Sequence, residues 1–287
     1  MFDQASKLRN LASAKNPAFR QSMRTIAVAS GKGGVGKTNL VVNLALALVD
    51  HNYRVIIMDG DVSLANVDIA FGITPRYSLR HLLFEEKRIE EILYPVEKGI
   101  MVLPGASGVS ELANLDRGQL RNVLANLGRL EKIADILLID TGAGIGSNVL
   151  SFIGAADDVI IVVTPEPPSI TDSYGLIKAF SQLSEASNIH VVVNRVKNKT
   201  EALEIFTRLE HAVRRFLGLE PKLLGWIYDD PQVGRSVMQQ KPLGLINPRS
   251  QAYKCIQWIA GNVAGIYLEP PTESGGIRRF VSSFLRQ

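Results

Sequence analysis

Between a β-branched run and a helical pattern the chain carries Gly31, Lys32, Gly33, Gly34, Val35, Gly36, Lys37, Thr38 and Asn39, and this stretch restricts the fold more than any other. It matches G-x-x-x-x-G-K-[ST], a loop that requires a strand before it and a helix after it. The run "TIAVAS" (Thr25 to Ser30) precedes it and a helical pattern over Lys37 to Val49 follows it, so both conditions are met. The glycines let the backbone curl until its N–H groups converge on phosphate oxygens, and the helix N-terminus adds positive potential. The expected ligand is a nucleoside triphosphate. Lys37 reaches its β and γ phosphates, and Thr38 places its hydroxyl on Mg²⁺.

The rest of the chain repeats that alternation. "RVIIMD" (Arg54 to Asp59), "GIMVLP" (Gly99 to Pro104), "DILLID" (Asp135 to Asp140), "DVIIVVT" (Asp158 to Thr164), "IHVVVN" (Ile189 to Asn194) and "KLLGWI" (Lys222 to Ile227) read as strands apolar on both faces. Helical patterns lie between them over Arg117 to Lys132, Ser169 to Leu183, Thr200 to Phe216 and Ser250 to Val263. The implied class is α/β: a P-loop NTPase with a mostly parallel twisted sheet covered by helices on both faces. At 287 residues, 46% hydrophobic and 21% charged, the chain is long enough for one large domain, over residues 25–268. The single cysteine, Cys255, excludes an intramolecular disulfide framework, and no repeat of about 20 to 50 residues is found. No apolar run reaches the roughly 18 residues of a membrane span. The N-terminus has no apolar core of signal-peptide type, so the expected location is cytoplasmic. The four histidines, His51, His81, His190 and His211, are scattered with no other ligand types beside them, which argues against a metal site built on them.

Partner motifs decide what happens to the triphosphate. Asp140 ends the apolar strand "ILLID", the expected place for a carboxylate that holds Mg²⁺, and it is followed by the small-residue stretch "TGAGIG", suited to sensing the γ-phosphate. The second strand ends in "MDGDVSLANVDI", placing Asp59 and Asp61 where ligands bind in such sheets. Two carboxylates beside a triphosphate repel it unless a metal or water intervenes. Asp59 is therefore read as a metal-shell residue and Asp61 as the residue that positions water, against the alternative of an Asp/Asn-rich turn.

"KGGVGKT", "DGD" and "IDTGAG" together resemble the deviant Walker A ATPases of the MinD/ParA class. In that class a second, early lysine crosses a nucleotide-sandwiched homodimer to the partner's phosphates, and the resemblance assigns this role to Lys32, so that dimerisation depends on ATP. A lysine supplied in trans acts there like an arginine finger. The resemblance also gives water activation to Asp61, adenine contact to Asn194 of "VVVNR", and a base-pocket lining to Asp230 and Pro231. One cysteine cannot bridge a cluster, which removes the iron-protein branches. The ending "IRRFVSSFLRQ" is unlike the tyrosine-rich tail of the kinase branch.

That ending is a basic amphipathic pattern over residues 277–287. Ile277, Phe280, Val281, Phe284 and Leu285 share a stripe with three arginines off it, which reads as an anchor for an anionic membrane surface; the alternative is permanent packing on the protein's own surface. "EPPTESGG" before it serves as a tether, so residues 269–287 form a tail. At the other end, residues 1–24 hold five basic side chains against one acid, and so carry the whole net charge of +4. The bland reading of this leader is a solvated tail. Asp3 can cap a short helix with Ala5, Leu8, Leu11 and Ala12 on one side.

The leader, with "DVSLANVDIAFG" and "PPSITDSYGLIKAF", resembles the flagellar-number regulators of the FlhG/FleN family over nearly the whole chain. Membership would imply that Asp3, Gln4, Leu8 and Arg9 stimulate the signal-recognition-type GTPase FlhF. It would further imply contacts with a flagellar transcription activator and basal-body proteins. The implied function is a cytoplasmic ATPase, with ATP and Mg²⁺ as cofactors, that visits the inner face of the membrane as an ATP dimer and sets flagellar number or placement. The alternatives are a DNA-segregation ATPase, disfavoured because the domain between the tails is nearly neutral, and a division-site regulator of MinD type.

Overall fold

A computed structural model describes residues 23–61, 66–84, 87–105, 126–182 and 188–271. In chain order the elements are β1 (Arg24–Ser30), α1 (Lys37–Asp50), β2 (Val55–Gly60), α2 (Val67–Phe71), α3 (Leu79–Phe84), α4 (Ile89–Ile92), β3 (Tyr94–Pro95) and β4 (Met101–Leu103). They continue with α5 (Leu130–Ile133), β5 (Ile136–Ala143), α6 (Ser147–Ala155), β6 (Asp158–Val163), α7 (Pro167–Ser181), β7 (Asn188–Val196), α8 (Lys199–Leu217), β8 (Lys222–Tyr228), α9 (Pro231–Met238), α10 (Leu243–Ile246) and α11 (Gln251–Val263). The sheet order is β3-β4-β2-β5-β1-β6-β7-β8, parallel throughout except for β3, which runs antiparallel to β4. All seven strands read from the sequence are present. The short antiparallel β3 and helix α6 were not anticipated, and the expected helix over Arg117 to Lys132 is described only at its end, from residue 126.

Alternation along the central strands explains the layering. Ile26, Val28, Val55, Ile57, Ile136 and Leu138 face one cluster with α1, whereas Ala27, Ile56, Met58, Leu137 and Ile139 face a second cluster with α6, α3 and α4. Helix α1 is buried along most of its length, and each fully buried leucine, such as Leu44, Leu46 or Leu48, contributes about 1.5–3 kcal/mol. Its bounds follow from backbone chemistry: it starts at Gly36, with φ of 96°, and stops at His51 before Asn52, with φ of 64°. Helix α8 is capped by Asn198, whose side chain accepts from Glu201 N–H, and is closed by Gly218.

The two edges of the sheet are treated differently. At the amino edge, carboxylates fasten neighbouring strands. Asp135 accepts from Arg54 N–H at 2.8 Å and from its guanidinium at 2.9 Å. Asp157 accepts from Thr25 N–H at 2.7 Å, and Asp158 joins Arg24 at 2.6 Å to His190 at 3.3 Å. Burial pushes the Asp158 carboxyl up, but Arg24 and His190 overcome it and leave the group below the usual carboxylate value. The folded state therefore holds the ionised form more tightly than the unfolded chain does, giving stability that is present above the unfolded value and lost as pH falls through the folded one. Arg24 remains 40% exposed, so solvent screening limits the contribution of the pair to about 1 kcal/mol. Asp158→Asn is expected to lower stability to urea by that amount at neutral pH, and the gap to narrow and then close as pH falls below the ordinary carboxylate range and through the lowered folded value. A gap that persisted in acid would rule out the charge pair as its source. The carboxyl edge, by contrast, ends in Ser30, Asp59, Asp140, Thr164 and Asn194 and faces the cleft.

Candidate functional site

The loop after β1 curls as its glycines allow, with positive φ at Gly34 (75°) and Gly36 (96°). Gly31 is glycine for another reason: a Cβ there would fall 2.2 Å from the carbonyl carbon of Asp172 on α7, so loop and helix backbones touch. Lys37 is buried, and its Nζ donates to Ser30 Oγ at 2.9 Å, which in turn donates to the Lys32 carbonyl at 2.7 Å. Burial lowers the Lys37 ammonium below its ordinary pKa, opposed by the nearby Asp140 and Asp61 carboxylates. Ser30 was missed by sequence reasoning; its only signal is its place as the last strand residue before the loop.

Thr38 Oγ1 donates to Asp140 Oδ2 at 2.6 Å, joining two of the three expected metal residues. The other oxygen, Asp140 Oδ1, is buried without a partner, and burial pushes this carboxyl up to about 7. An orphaned acid oxygen next to a hydroxyl fits Mg²⁺, which takes one or two protein oxygens and completes its shell with water and phosphate. Among the described residues no group of three or more His, Cys, Asp or Glu side chains forms an all-protein cage. Asp59 is turned elsewhere. Its oxygens accept from the N–H groups of Asp61 at 3.1 Å, Asn66 at 2.9 Å and Val67 at 3.1 Å, so it organises the loop that carries Asp61. Its carboxyl is raised by burial despite those three bonds. Asp61 borders the cleft and accepts from Asn66 Nδ2 at 3.3 Å. Asp68, another residue not anticipated, has a carboxyl pushed up to about 6 by burial and by Asp59.

Two cavities, of about 430 and 400 Å³, open along the carboxyl edge and share Gly36, Asn39, Arg195 and Val237. The first holds the phosphate loop, Thr38 and Asp61; the second holds Asn194, Asp230 and Pro231, so the three expected base-pocket residues come together. Joined, they match the size range of small-molecule sites. Asn194 Nδ2 donates to the Val35 carbonyl at 2.7 Å, while its Oδ1 accepts from Arg195 N–H at 2.9 Å. Val35 thus faces the core with its side chain and offers Asn194 its backbone. Asp230 spends its carboxylate on the N–H groups of Gln232 at 2.9 Å and Ala252 at 3.2 Å, capping α9, so it shapes the pocket wall through the backbone. Arg195 was not anticipated. It takes φ of 60° where the two cavities meet, and no sequence rule marks such a conformation in arginine.

Lys32 stands apart from this interior. Its ammonium lies on the outer lip, 41% exposed, and pairs with Glu166 at 3.3 Å, a residue that also accepts from Thr164 Oγ1 at 3.0 Å. The two lysines of the loop are thus separated, one inside and one facing outward. The expected partner residues Asp3, Gln4, Leu8 and Arg9 and the membrane residues Ile277, Phe280, Val281, Phe284 and Leu285 lie outside the described residues. Among the described residues no helix is long and apolar enough to cross a membrane.

Residues 23–193 match the family model described as an AAA domain. The chain is 35% identical to the antiactivator FleN of Pseudomonas aeruginosa over 92% of its length and 94% of that protein. It is 34% identical to the flagellum site-determining protein YlxH of Helicobacter pylori over 100% of this chain and 99% of that one. Among solved structures it resembles the Pyrococcus furiosus cell division ATPase MinD with a TM-score of 0.68 at 25% identity, covering 84% of this chain and 98% of that one.

Proposed function

We propose, for a chain that belongs to the MinD/ParA family of P-loop ATPases and within it to the FleN/YlxH branch, an ATP-timed dimerising switch that regulates flagellar number or placement. The flagellar assignment is supported by the near full-length likeness to FleN and YlxH. The switch is supported by one observation above the others: the division of labour between the lysines. Lys37 is enclosed and tied to Ser30, as a residue that grips its own subunit's nucleotide must be. Lys32 is held on the lip by a surface ion pair, the kind worth about 1 kcal/mol or less, which a second subunit's phosphates can displace.

Hydrolysis then follows from the placement of the side chains. Asp61 holds a water in line with the γ-phosphate, water oxygen attacks phosphorus, and the bond to the bridging oxygen of ADP breaks. Lys37 neutralises charge on the phosphoryl oxygens from within and Lys32 from across the dimer. Mg²⁺, held by Thr38 and Asp140, would supply further neutralisation of the same oxygens. Asn194 and the wall at Asp230 and Pro231 hold the adenine. In the cell, the ATP dimer would bring two copies of the terminal segment 277–287 to an anionic membrane at once, converting weak anchors into a stronger one. Asp3, Gln4, Leu8 and Arg9 of the leader 1–24 would stimulate an FlhF-type GTPase, and dimer contacts would extend to a transcription activator and basal-body proteins.

Sedimentation velocity with ATP and Mg²⁺ against ADP tests the switch. Asp61→Ala is expected to slow phosphate release by at least about a hundredfold and to accumulate as a dimer in ATP. Lys32→Ala should bind ATP but stay monomeric. An Asp61→Ala protein that remained monomeric in ATP would overturn the scheme. Pelleting with anionic liposomes, on the full chain and on one ending at Glu273, separates membrane visiting from dimerisation: ATP-dependent pelleting should vanish with the truncation.

A further inference from the structure

The cleft has an outer wall that the nucleotide motifs do not account for. Ser236 and Val237 in the last turn of α9, with Lys241 and Pro242 just before α10, line the same cavity as the phosphate loop. This segment turns sharply, with Gln240 at φ of 51°, and two contacts fix it to the rest of the cleft. One is steric: at Gly72, which closes α2 at φ of 63°, an added Cβ would lie 3.1 Å from the Gln240 carbonyl. The other is a buried hydrogen bond. Gly244 N–H donates at 2.8 Å to Asn43 Oδ1, across 201 residues of sequence.

Asn43 is 1% exposed, in the second turn of α1, where its neighbours are core leucines and valines. A buried amide in such a stripe costs free energy unless both of its ends are satisfied. Here both are: Nδ2 donates to the Asn39 carbonyl at 2.8 Å while Oδ1 takes the Gly244 N–H. Asn39 lines both cavities. Gly244 cannot shift toward α11 either, since even a Cβ there would lie 2.3 Å from the Tyr253 ring. One side chain thus joins the first turn of the phosphate-loop helix to the wall that faces it, at a spacing set by two short bonds.

We propose that Asn43 is a positioning residue for nucleotide retention: it holds the Ser236–Pro242 wall against the phosphate-loop helix and so closes the side of the cleft. It touches neither phosphate nor metal residue and acts through Asn39 and Gly244. The inference rests on the ATPase reading of the site. Its loss opens the wall without displacing Lys37, Thr38, Asp61 or Asp140.

The test is steady-state ATP turnover with calorimetric ADP binding on the full-length protein. Asn43→Ala is expected to raise KM for ATP and Kd for ADP by about tenfold while kcat stays within about twofold. Gly72→Ala, which presses the same wall from its other support, should give the same split at about threefold. A KM unchanged in both variants overturns the proposal, and so does a kcat that falls as much as KM rises. If Asn43→Ala fails to fold, Gly72→Ala alone decides on the same criterion. Wild-type turnover in the same assay tests the ATPase reading separately.

Discussion

Lys37→Ala is expected to reduce ATP turnover by at least about a thousandfold and to weaken ADP binding beyond calorimetric detection. The size of the effect comes from the company that this ammonium keeps. Asp61 and Asp140 both act on it electrostatically, and Asp59 and Asp61 act on Asp140 in turn. In the folded protein Lys37 is the buried cation of that group. Deleting it removes the charge proposed to reach the β and γ phosphates and leaves Asp140 and Asp61 without their buried counter-charge as a triphosphate approaches. Arginine should not rescue it, because a planar guanidinium fork does not reproduce the point contact that the buried ammonium makes with Ser30 Oγ at 2.9 Å. Phosphate release and ADP calorimetry on the purified variant measure both losses. Retention of ADP affinity within about tenfold of wild type would show that the backbone cradle, rather than Lys37, holds the phosphates.

The second large effect concerns stability. Gly31→Ala is expected to cost about 3 kcal/mol or more, a fall of roughly 6–12 °C in melting temperature, since the new Cβ would meet the carbonyl carbon, carbonyl oxygen and following nitrogen of the Asp172–Ser173 peptide at 2.2, 2.3 and 2.6 Å. Backbone cannot turn to another rotamer, and α7 is fixed by its buried Ser169, Ser173, Leu176, Ile177 and Phe180. Gly34→Ala provides the contrast. Nothing lies within 4 Å of the position, so that variant bears only the strain of φ at 75°, about 1 kcal/mol. Thermal unfolding of the two proteins separates crowding from backbone strain. Equal losses would mean that the loop and α7 part easily.

How much of this was legible beforehand depended on whether the signal was local. The parallel strands could be read because burial on both faces leaves an unbroken apolar run, as in "DVIIVV" at β6. Helix α6 could not, because it follows glycines at 142, 144 and 146 that read as loop. The two-residue β3 is held by its pairing with β4 and carries no pattern of its own. In the site, Lys37, Thr38, Asp61 and Asp140 carry a local signal, because each ends or follows an apolar strand at a short, fixed spacing. The sequence reading assigns Asp59 to the metal and Asp61 to water; only in three dimensions does Asp59 face three backbone N–H groups of the loop while Asp61 borders the cleft. Ser30, Arg195 and Asn43 gain their roles from partners or conformations that no spacing encodes.

The Asn194 amide has a consequence for fidelity. The side chain proposed to meet the base also grips the Val35 carbonyl at 2.7 Å, and it lies so near Gly36 that a Cβ there would come within 2.5 Å of its nitrogen. Reader and cradle are one hydrogen-bonded unit, with no slack between them. A purine that pulled the amide round to suit its own edge would drag the phosphate loop with it. Selection among nucleotides would then be enforced twice by a single bond: once when the base is admitted, and again when the misaligned loop fails to complete the reaction.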